Sequence, residues 1–160
     1  EMLFVVHHCC CTITKTVLPL NLEQNDNKFG QLINRILEHN TNRMILKCLT
    51  YLDLRQQNLK FQRWPNANLQ GSNLEFAFLT EANLRGANLR KTNLSHTDLT
   101  DTNLVAANLK DTEMASCNLC GANLTGAETD GCNFKNARYD SQSIFPLNID
   151  ISNLNYYFQD

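Results

Sequence analysis

The residues best suited to chemistry are the histidines and cysteines near the start of the chain. His7, His8, Cys9, Cys10 and Cys11 are consecutive, and imidazole and thiolate groups are common zinc ligands. Structural zinc sites, however, space their ligands in separated pairs, and five adjacent residues cannot all converge on one ion. No second cluster of this kind follows in the sequence. We therefore expect neither a bound metal nor another cofactor.

Two further pairs combine reactive residue types at short spacing. Cys117 and Cys120 form a Cys-x-x-Cys pair, and His96 lies two residues before Asp98. The sequence has no Gly-rich phosphate loop, no GxSxG and no HExxH to position such groups for catalysis. The periodicity described below directs Cys117 inward and Cys120 outward, and it places His96 and Asp98 on the exterior. We expect no enzymatic activity, no catalytic residues and no small-molecule substrate.

Composition and charge narrow the classes of partner. The 160 residues carry 14 basic and 16 acidic side chains, a net charge of −2 with neutral histidines, so nucleic acid and anionic membranes are not favoured. No apolar stretch approaches the ~20 residues that span a bilayer. The seven cysteines cannot all pair with one another. Without a recognisable export signal they predict a reducing, cytoplasmic compartment, although a signal preceding this sequence stays open.

The elements that must position these residues follow a period of five. From Leu54 to Tyr139 nearly every fifth residue is large and apolar, usually leucine, and the residue two before it is usually small. This period matches neither the two-residue repeat of a strand nor the 3.6-residue turn of a helix. A backbone with five residues in each repeating unit predicts a solenoid.

Units such as SNLEF, ANLRG, TNLSH and ANLKD resemble those of the pentapeptide-repeat family, whose consensus is A(D/N)LXX. The resemblance covers about residues 52–144. It implies an all-β solenoid, a right-handed quadrilateral β-helix of four to five coils. The predicted interior columns are Leu54, Leu74, Leu94, Met114 and Phe134; Leu59, Leu79, Leu99, Leu119 and Tyr139; Trp64, Leu84, Leu104, Leu124 and Ile144; and Leu69, Leu89, Leu109 and Thr129.

Four segments are predicted along the chain. Residues 1–27 are expected to be an irregular N-terminal segment, and residues 28–51 a helical cap, because apolar residues recur there at helical spacing. Residues 52–144 form the repeat, and residues 145–160 a C-terminal capping tail. Caps are expected because open coils expose apolar ends and unpaired backbone groups.

Three phenylalanines stand at surface positions where most units are polar. Phe61 and Phe78 are predicted to share a face in adjacent coils, with Phe76 at the neighbouring corner. Exposed, they would form an apolar patch typical of a protein contact. The alternative is that the N-terminal segment, residues 12–18, folds back over them.

Two functions are compatible with such a rod. The first is a non-enzymatic protein-binding or scaffold module that presents flat faces to a protein partner, alone or within a larger assembly. The second, implied by one branch of the resembled family, is a DNA-mimicking binder of DNA gyrase or topoisomerase. Mimicry requires repeated negative charge, yet residues 53–140 contain ten acidic and nine basic side chains. Protein binding is therefore the favoured prediction.

Overall fold

The structure is a computed structural model that describes residues 2–5, 16–19, 49–147, 149, 151–152 and 154–157. Most of the described chain is built from single parallel β-bridges separated by turns. The named strands are β1 (Met2–Val5), β2 (Thr16–Pro19), β3 (Arg138–Tyr139) and β4 (Asn155–Tyr156).

The first two strands form an antiparallel pair in which Met2 lies opposite Pro19 and Val5 opposite Thr16. The segment of residues 1–27, predicted to be irregular, therefore contains two short strands. Both stretches are rich in β-branched and other apolar residues, which favour strands. The rest of that segment and residues 28–48 of the predicted helical cap lie outside the described residues.

The bridges of the repeat join residues twenty positions apart, as between Asp53 and Asn73. The Leu54 amide donates to the Asn73 carbonyl at 2.7 Å, and the Asn73 amide donates to the Leu52 carbonyl at 2.8 Å. The same exchange recurs from coil to coil up to Leu124. Most backbone polar groups along the rod are thereby satisfied by the neighbouring coil, as burial requires.

A tight turn ends each five-residue unit. We call the large inward residue of a unit its centre. The residue two positions after the centre has positive φ, as in Gln56 with φ 59°, and the amide one position further donates back to the centre, as from Gln57 to Leu54 at 3.3 Å. A single positive φ at the third turn position is the pattern of a type II turn. Four such units complete one twenty-residue coil.

The four sides of the coil are called walls 1 to 4, after the columns that begin with Leu54, Leu59, Trp64 and Leu69. The predicted centres from Leu54 to Leu124 are buried, most with no exposed surface, which confirms these columns. Leu49 is also buried and lies five residues before Leu54. Residues 49–51 therefore belong to the repeat, and the prediction of a helical cap reaching residue 51 is wrong at that end. Tyr51 already occupies the positive-φ turn position, with φ 57°.

From the second coil onward, small residues fill the position two before each centre up to Tyr139. Several are hydroxylated and buried, and their hydroxyls donate to carbonyls of the preceding coil. Thr92 donates to the Leu69 carbonyl at 2.9 Å, and Thr97 donates to the Leu74 carbonyl at 2.8 Å. These buried hydroxyls are therefore hydrogen-bonded, as burial of a polar group requires.

The first coil is less regular. Gln62 and Trp64 replace a small residue and a leucine, and both are buried. The Gln62 Oε1 and Trp64 Nε1 atoms have no hydrogen-bond partner. These bulky substitutions are accommodated at the N-terminal end of the rod.

The regular spacing ends at a turn between Tyr139 and Ile144. The Asp140 carboxylate accepts hydrogen bonds from the Gln142 and Ser143 amides, both at 3.0 Å. This turn adds one residue, so that Asn123 bridges Ile144 at a spacing of twenty-one. The prediction that Ile144 is an interior centre is therefore wrong, since Ile144 is 49% exposed, and Phe145 packs against the core instead.

The last described residues lie on the final coil. β4 pairs in parallel with β3, and the Asn155 amide donates to the Ala137 carbonyl at 2.8 Å. The Tyr139 ring contacts the ring of Phe145 edge-on, with centroids 5.6 Å apart, and that of Tyr156 with centroids 5.2 Å apart. Aromatic side chains therefore cover part of the last coil.

Candidate partner-binding wall

The three phenylalanines predicted to bind a partner are exposed on and beside wall 2. The exposed fractions are 60% for Phe61, 47% for Phe76 and 45% for Phe78. Phe61 and Phe76 occupy positive-φ turn positions at the two corners that border wall 2. Phe78 lies on the wall, in the position before a centre, and bridges Asn58 in the coil below.

Phe76 and Phe78 each contact a side chain other than the three phenylalanines. The Phe76 ring stacks in parallel on the His96 ring, with centroids 4.7 Å apart. The Lys60 ammonium lies 5.4 Å from the Phe78 ring centroid, within the range of a cation–π interaction. The alternative that residues 12–18 cover the rings stays untested, because residues 12–15 lie outside the described residues and Thr16–Pro19 pairs with β1.

Above Phe78 in the same column lies Asp98, whose carboxylate is held by two threonine hydroxyls. Thr80 donates to Asp98 Oδ2 at 2.9 Å, and the Thr100 hydroxyl donates to Oδ1 at 2.5 Å. Burial acts to raise the pKa of Asp98, but these hydroxyls, the Thr100 amide and the Lys60 charge outweigh it and lower the pKa below its usual value. Asp98 is therefore a carboxylate near neutral pH.

Two more carboxylates, Glu81 and Asp101, stack above Phe61 at the corner between walls 2 and 3. Both are exposed, and their amides donate to carbonyls of the next coil. Within residues 49–147, the recorded ion pairs include none of Glu81, Asp98 and Asp101. Wall 2 thus combines exposed aromatic rings with carboxylates that no basic side chain of the described chain neutralises directly.

The opposite wall 4 differs in its charges. Arg90 contacts Asp111 at 3.4 Å, and Lys110 contacts Glu128 at 3.1 Å and Asp130 at 3.7 Å. Hydrogen bonding to Glu128 and the nearby carboxylates raise the pKa of Lys110. The acidic side chains of this wall are therefore paired within the rod.

The other candidate residues from the sequence do not converge on a site. His96 is exposed and contacts Phe76. Cys117 is buried while Cys120 is partly exposed, and burial raises the pKa of both thiols. Among the described residues no group of histidine, cysteine and carboxylate side chains is arranged to hold a metal ion. Residues 7–11 lie outside the described part of the chain.

Sequence reasoning overlooked the Phe76–His96 stack, the Lys60–Phe78 contact and the unpaired carboxylates of wall 2. The twenty-residue separation of Phe76 and His96 could have predicted their stack. The side-chain placement of Lys60 has no such sequence signal.

Comparison with known proteins agrees with this geometry. The pentapeptide repeats family matches residues 67–104 and 102–138, in eight copies. A pentapeptide repeat protein from Nostoc is 32% identical over 66% of this chain and 84% of its own, with a TM-score of 0.43. The chain belongs to the pentapeptide-repeat family. The right-handed quadrilateral β-helix implied by the resemblance is the fold of this family.

Two further solved structures are similar to this chain to different degrees. A pentapeptide repeat protein from the Arabidopsis thaliana thylakoid lumen is 26% identical over 60% of this chain and 67% of its own, with a TM-score of 0.58. QnrB1, a plasmid-mediated fluoroquinolone resistance protein, is 16% identical over 68% of this chain and 59% of its own, with a TM-score of 0.45. The second likeness is too low to transfer any property. No curated protein matches the chain, and no helix among the described residues is long and apolar enough to cross a membrane.

Proposed function

We propose that this pentapeptide-repeat protein is a non-enzymatic protein-binding or scaffold module, and that wall 2 is its contact surface. The observation that carries the proposal is the exposure of Phe61, Phe76 and Phe78 on a rod whose outward positions are otherwise largely polar. Large exposed rings have an unfavourable contact with water, which a protein partner would remove.

The architecture of the rod supports binding through side chains on its outer walls. Leucine columns fill the interior of the described coils, whereas small-molecule sites are usually concave. Main-chain amides and carbonyls are used between successive coils, so a partner strand has little free backbone to pair with on a wall. Recognition would therefore depend on the rings and the charged groups beside them.

The expected affinity is modest. Burying one phenylalanine side chain completely contributes ~1.5–3 kcal/mol, and these rings are already about half covered. Part of the gain is offset by the loss of rotational and side-chain freedom on association. The aromatic rings alone would therefore support a weak or transient contact, with the rest of the affinity coming from neighbouring groups.

The test is Phe78→Asp, compared with Ile144→Asp in affinity capture from the native source. Ile144 is a matched control because it also precedes an inward residue and is 49% exposed, but it lies on wall 3. We expect Phe78→Asp to lose the captured partner, Ile144→Asp to retain it, and both variants to keep the native circular dichroism and melting temperature.

Equal capture by Phe78→Asp and the unmodified protein would refute wall 2 as the contact surface. If Phe78→Asp unfolds, Phe78→Ser, a smaller and uncharged change, provides the same comparison. Binding to DNA gyrase is the alternative, and it is checked by a supercoiling assay. We expect no inhibition at micromolar protein, because basic side chains interrupt the acidic ones along the rod.

A further inference from the structure

The geometry points to a specific class of partner for wall 2, a basic protein segment that presents Arg or Lys side chains and apolar side chains in alternation on the one face that meets the wall. This inference rests on the proposed function, since it concerns the chemistry of the same contact surface. It is carried by the combination of exposed rings, unpaired carboxylates and the position of Lys60.

The rings and the carboxylates form two adjacent bands. Phe76 and Phe78 lie in one coil, with Phe61 in the coil below. Twenty residues after Phe78 comes Asp98, and the column of Phe61 continues with Glu81 and Asp101. Successive coils are separated by a strand-like spacing of about 4.8 Å. In an extended segment that runs along the rod, side chains two residues apart share one face and are about 7 Å apart. An apolar side chain on the rings would therefore place the side chain two residues along near a carboxylate.

The negative charges of the carboxylate band, formed by Glu81, Asp98 and Asp101, favour a basic partner. Thr80 and Thr100 hold the Asp98 carboxylate by hydrogen bonds and lower its pKa, which keeps it ionised. Glu81 and Asp101 are exposed and form no ion pair within the part of the chain that the structure describes. Complementary charge accelerates association and excludes partners of the wrong sign.

Lys60 is an example within the chain of a cation that contacts an aromatic ring of wall 2. Its ammonium lies 5.4 Å from the Phe78 ring centroid and makes a cation–π contact within the chain itself. Lys60 and Arg63 lie in the first coil, below the acidic band. A guanidinium from a partner binds aromatic faces and carboxylates better than an ammonium does, because it is planar and less strongly hydrated.

Wall 4 is a built-in control within the same rod. Its carboxylates Asp111, Glu128 and Asp130 are already paired with Arg90 and Lys110. Arg90 and Lys110 would repel a basic segment that approaches these carboxylates. The same partner should therefore prefer wall 2 although both walls carry carboxylates.

The experiment titrates the full chain, followed by two-dimensional NMR, with a short Leu–Arg peptide in which Leu and Arg alternate at every second position with Ser between them, so that both lie on one face of the extended chain. Matched Leu–Glu and Leu–Ser peptides carry Glu or Ser in place of each Arg. We expect the Leu–Arg peptide to shift the amides of residues 78–81 and 98–101 and to lose affinity as salt is added. The double variant Glu81→Gln with Asp101→Asn should weaken binding of the Leu–Arg peptide about tenfold. The contribution of the ring is tested with Phe78→Ala, because Phe78→Asp would add a negative charge that attracts this peptide. The matched control, Asp111→Asn with Asp130→Asn, should bind as the unmodified chain does.

The inference is overturned if the Leu–Glu or Leu–Ser peptide binds wall 2 as tightly, if the Leu–Arg peptide shifts wall 4 equally, or if no peptide binds wall 2. A dimer that sedimentation detects and that Phe78→Ala abolishes would also overturn it, because a second copy would then be the occupant. Tight binding of the Leu–Ser peptide that depends on Phe78 would leave the proposed function intact. Equal partner capture by Phe78→Asp would instead remove the proposed function itself.

Discussion

Walls 2 and 4 lie on opposite sides of the same rod and are built on equivalent leucine columns, yet their surfaces differ. Wall 4 pairs Arg90 and Lys110 with carboxylates from neighbouring coils. At the corner of wall 2, Glu81 and Asp101 form no ion pair with another described residue, and phenylalanine rings are exposed beside them. The comparison shows that the repeat determines the interior of every wall in the same way, while outward residues are free to differ in function.

The first test asks whether the two interiors are energetically equivalent. Leu99 lies behind wall 2 and Leu89 behind wall 4, and both are fully buried. Leu99→Ala and Leu89→Ala should each lower the free energy of unfolding by about 2–5 kcal/mol, from lost apolar burial and the cavity left behind. Urea denaturation measures both. Costs that differ by more than the error would show that the interior, too, distinguishes the walls.

The second test compares the glycines that lie one coil above two aspartates. A Cβ atom added to Gly121 would meet Asp101 Oδ1 beside wall 2, and one added to Gly131 would meet Asp111 Oδ1 beside wall 4, while Gly126 has open space; all three have positive φ. Alanine at any of them should cost about 1–2 kcal/mol, because L residues are strained in the left-handed region. Thermal denaturation should show Gly126→Ala as the mildest change, and a milder Gly121→Ala would contradict the contact with Asp101.

The third test concerns pH. The pKa of Asp98 is lowered in the folded chain from an ordinary value of 3.8. A depressed pKa contributes stability above the unfolded value, and this contribution is lost as pH falls below about 3.8 through the folded pKa. Asp98→Asn should therefore flatten the decline in melting temperature between about pH 4 and pH 2. An unchanged acid profile would mean that the hydroxyls of Thr80 and Thr100 do not stabilise the ionised form.

The smallest effect is expected on wall 4. Lys110 contacts Glu128 and Asp130 at the surface, and exposed ion pairs contribute little because water and salt screen them. Lys110→Met should leave the melting temperature unchanged within error at physiological salt. A large drop in melting temperature that shrinks at high salt would contradict this expectation and show that the ion pairs of Lys110 stabilise the rod.

Much of the fold was predictable because the five-residue period leaves one arrangement for the large residues. Each predicted centre from Leu54 to Leu124 is buried, and the exposure of Phe78 follows from its place beside a centre. The period alone gave a wrong centre where two neighbouring residues are both apolar and either could point inward. Ile144 and Phe145 are both apolar, and the extra residue in the turn at Asp140 selects Phe145, whose ring contacts Tyr139.

The function is less accessible from the sequence than the fold. The exposure of Phe61 and Phe76 could be inferred from their positions, but the sequence does not name the partner. The gyrase-binding alternative and the cytoplasmic location stay predictions. The balanced total charge of the repeat also concealed the carboxylates grouped beside wall 2, because a count sums the charges of all four walls.

By itself, the sequence determined that five residues make one unit and that leucines stack inside, since period and side-chain size leave no other consistent packing. Only the tertiary structure decided where the rod's ends depart from that period and which charges are neutralised. Ion pairs such as Arg90 with Asp111 form between different coils, and their formation depends on side-chain conformations that a spacing of twenty permits but does not require.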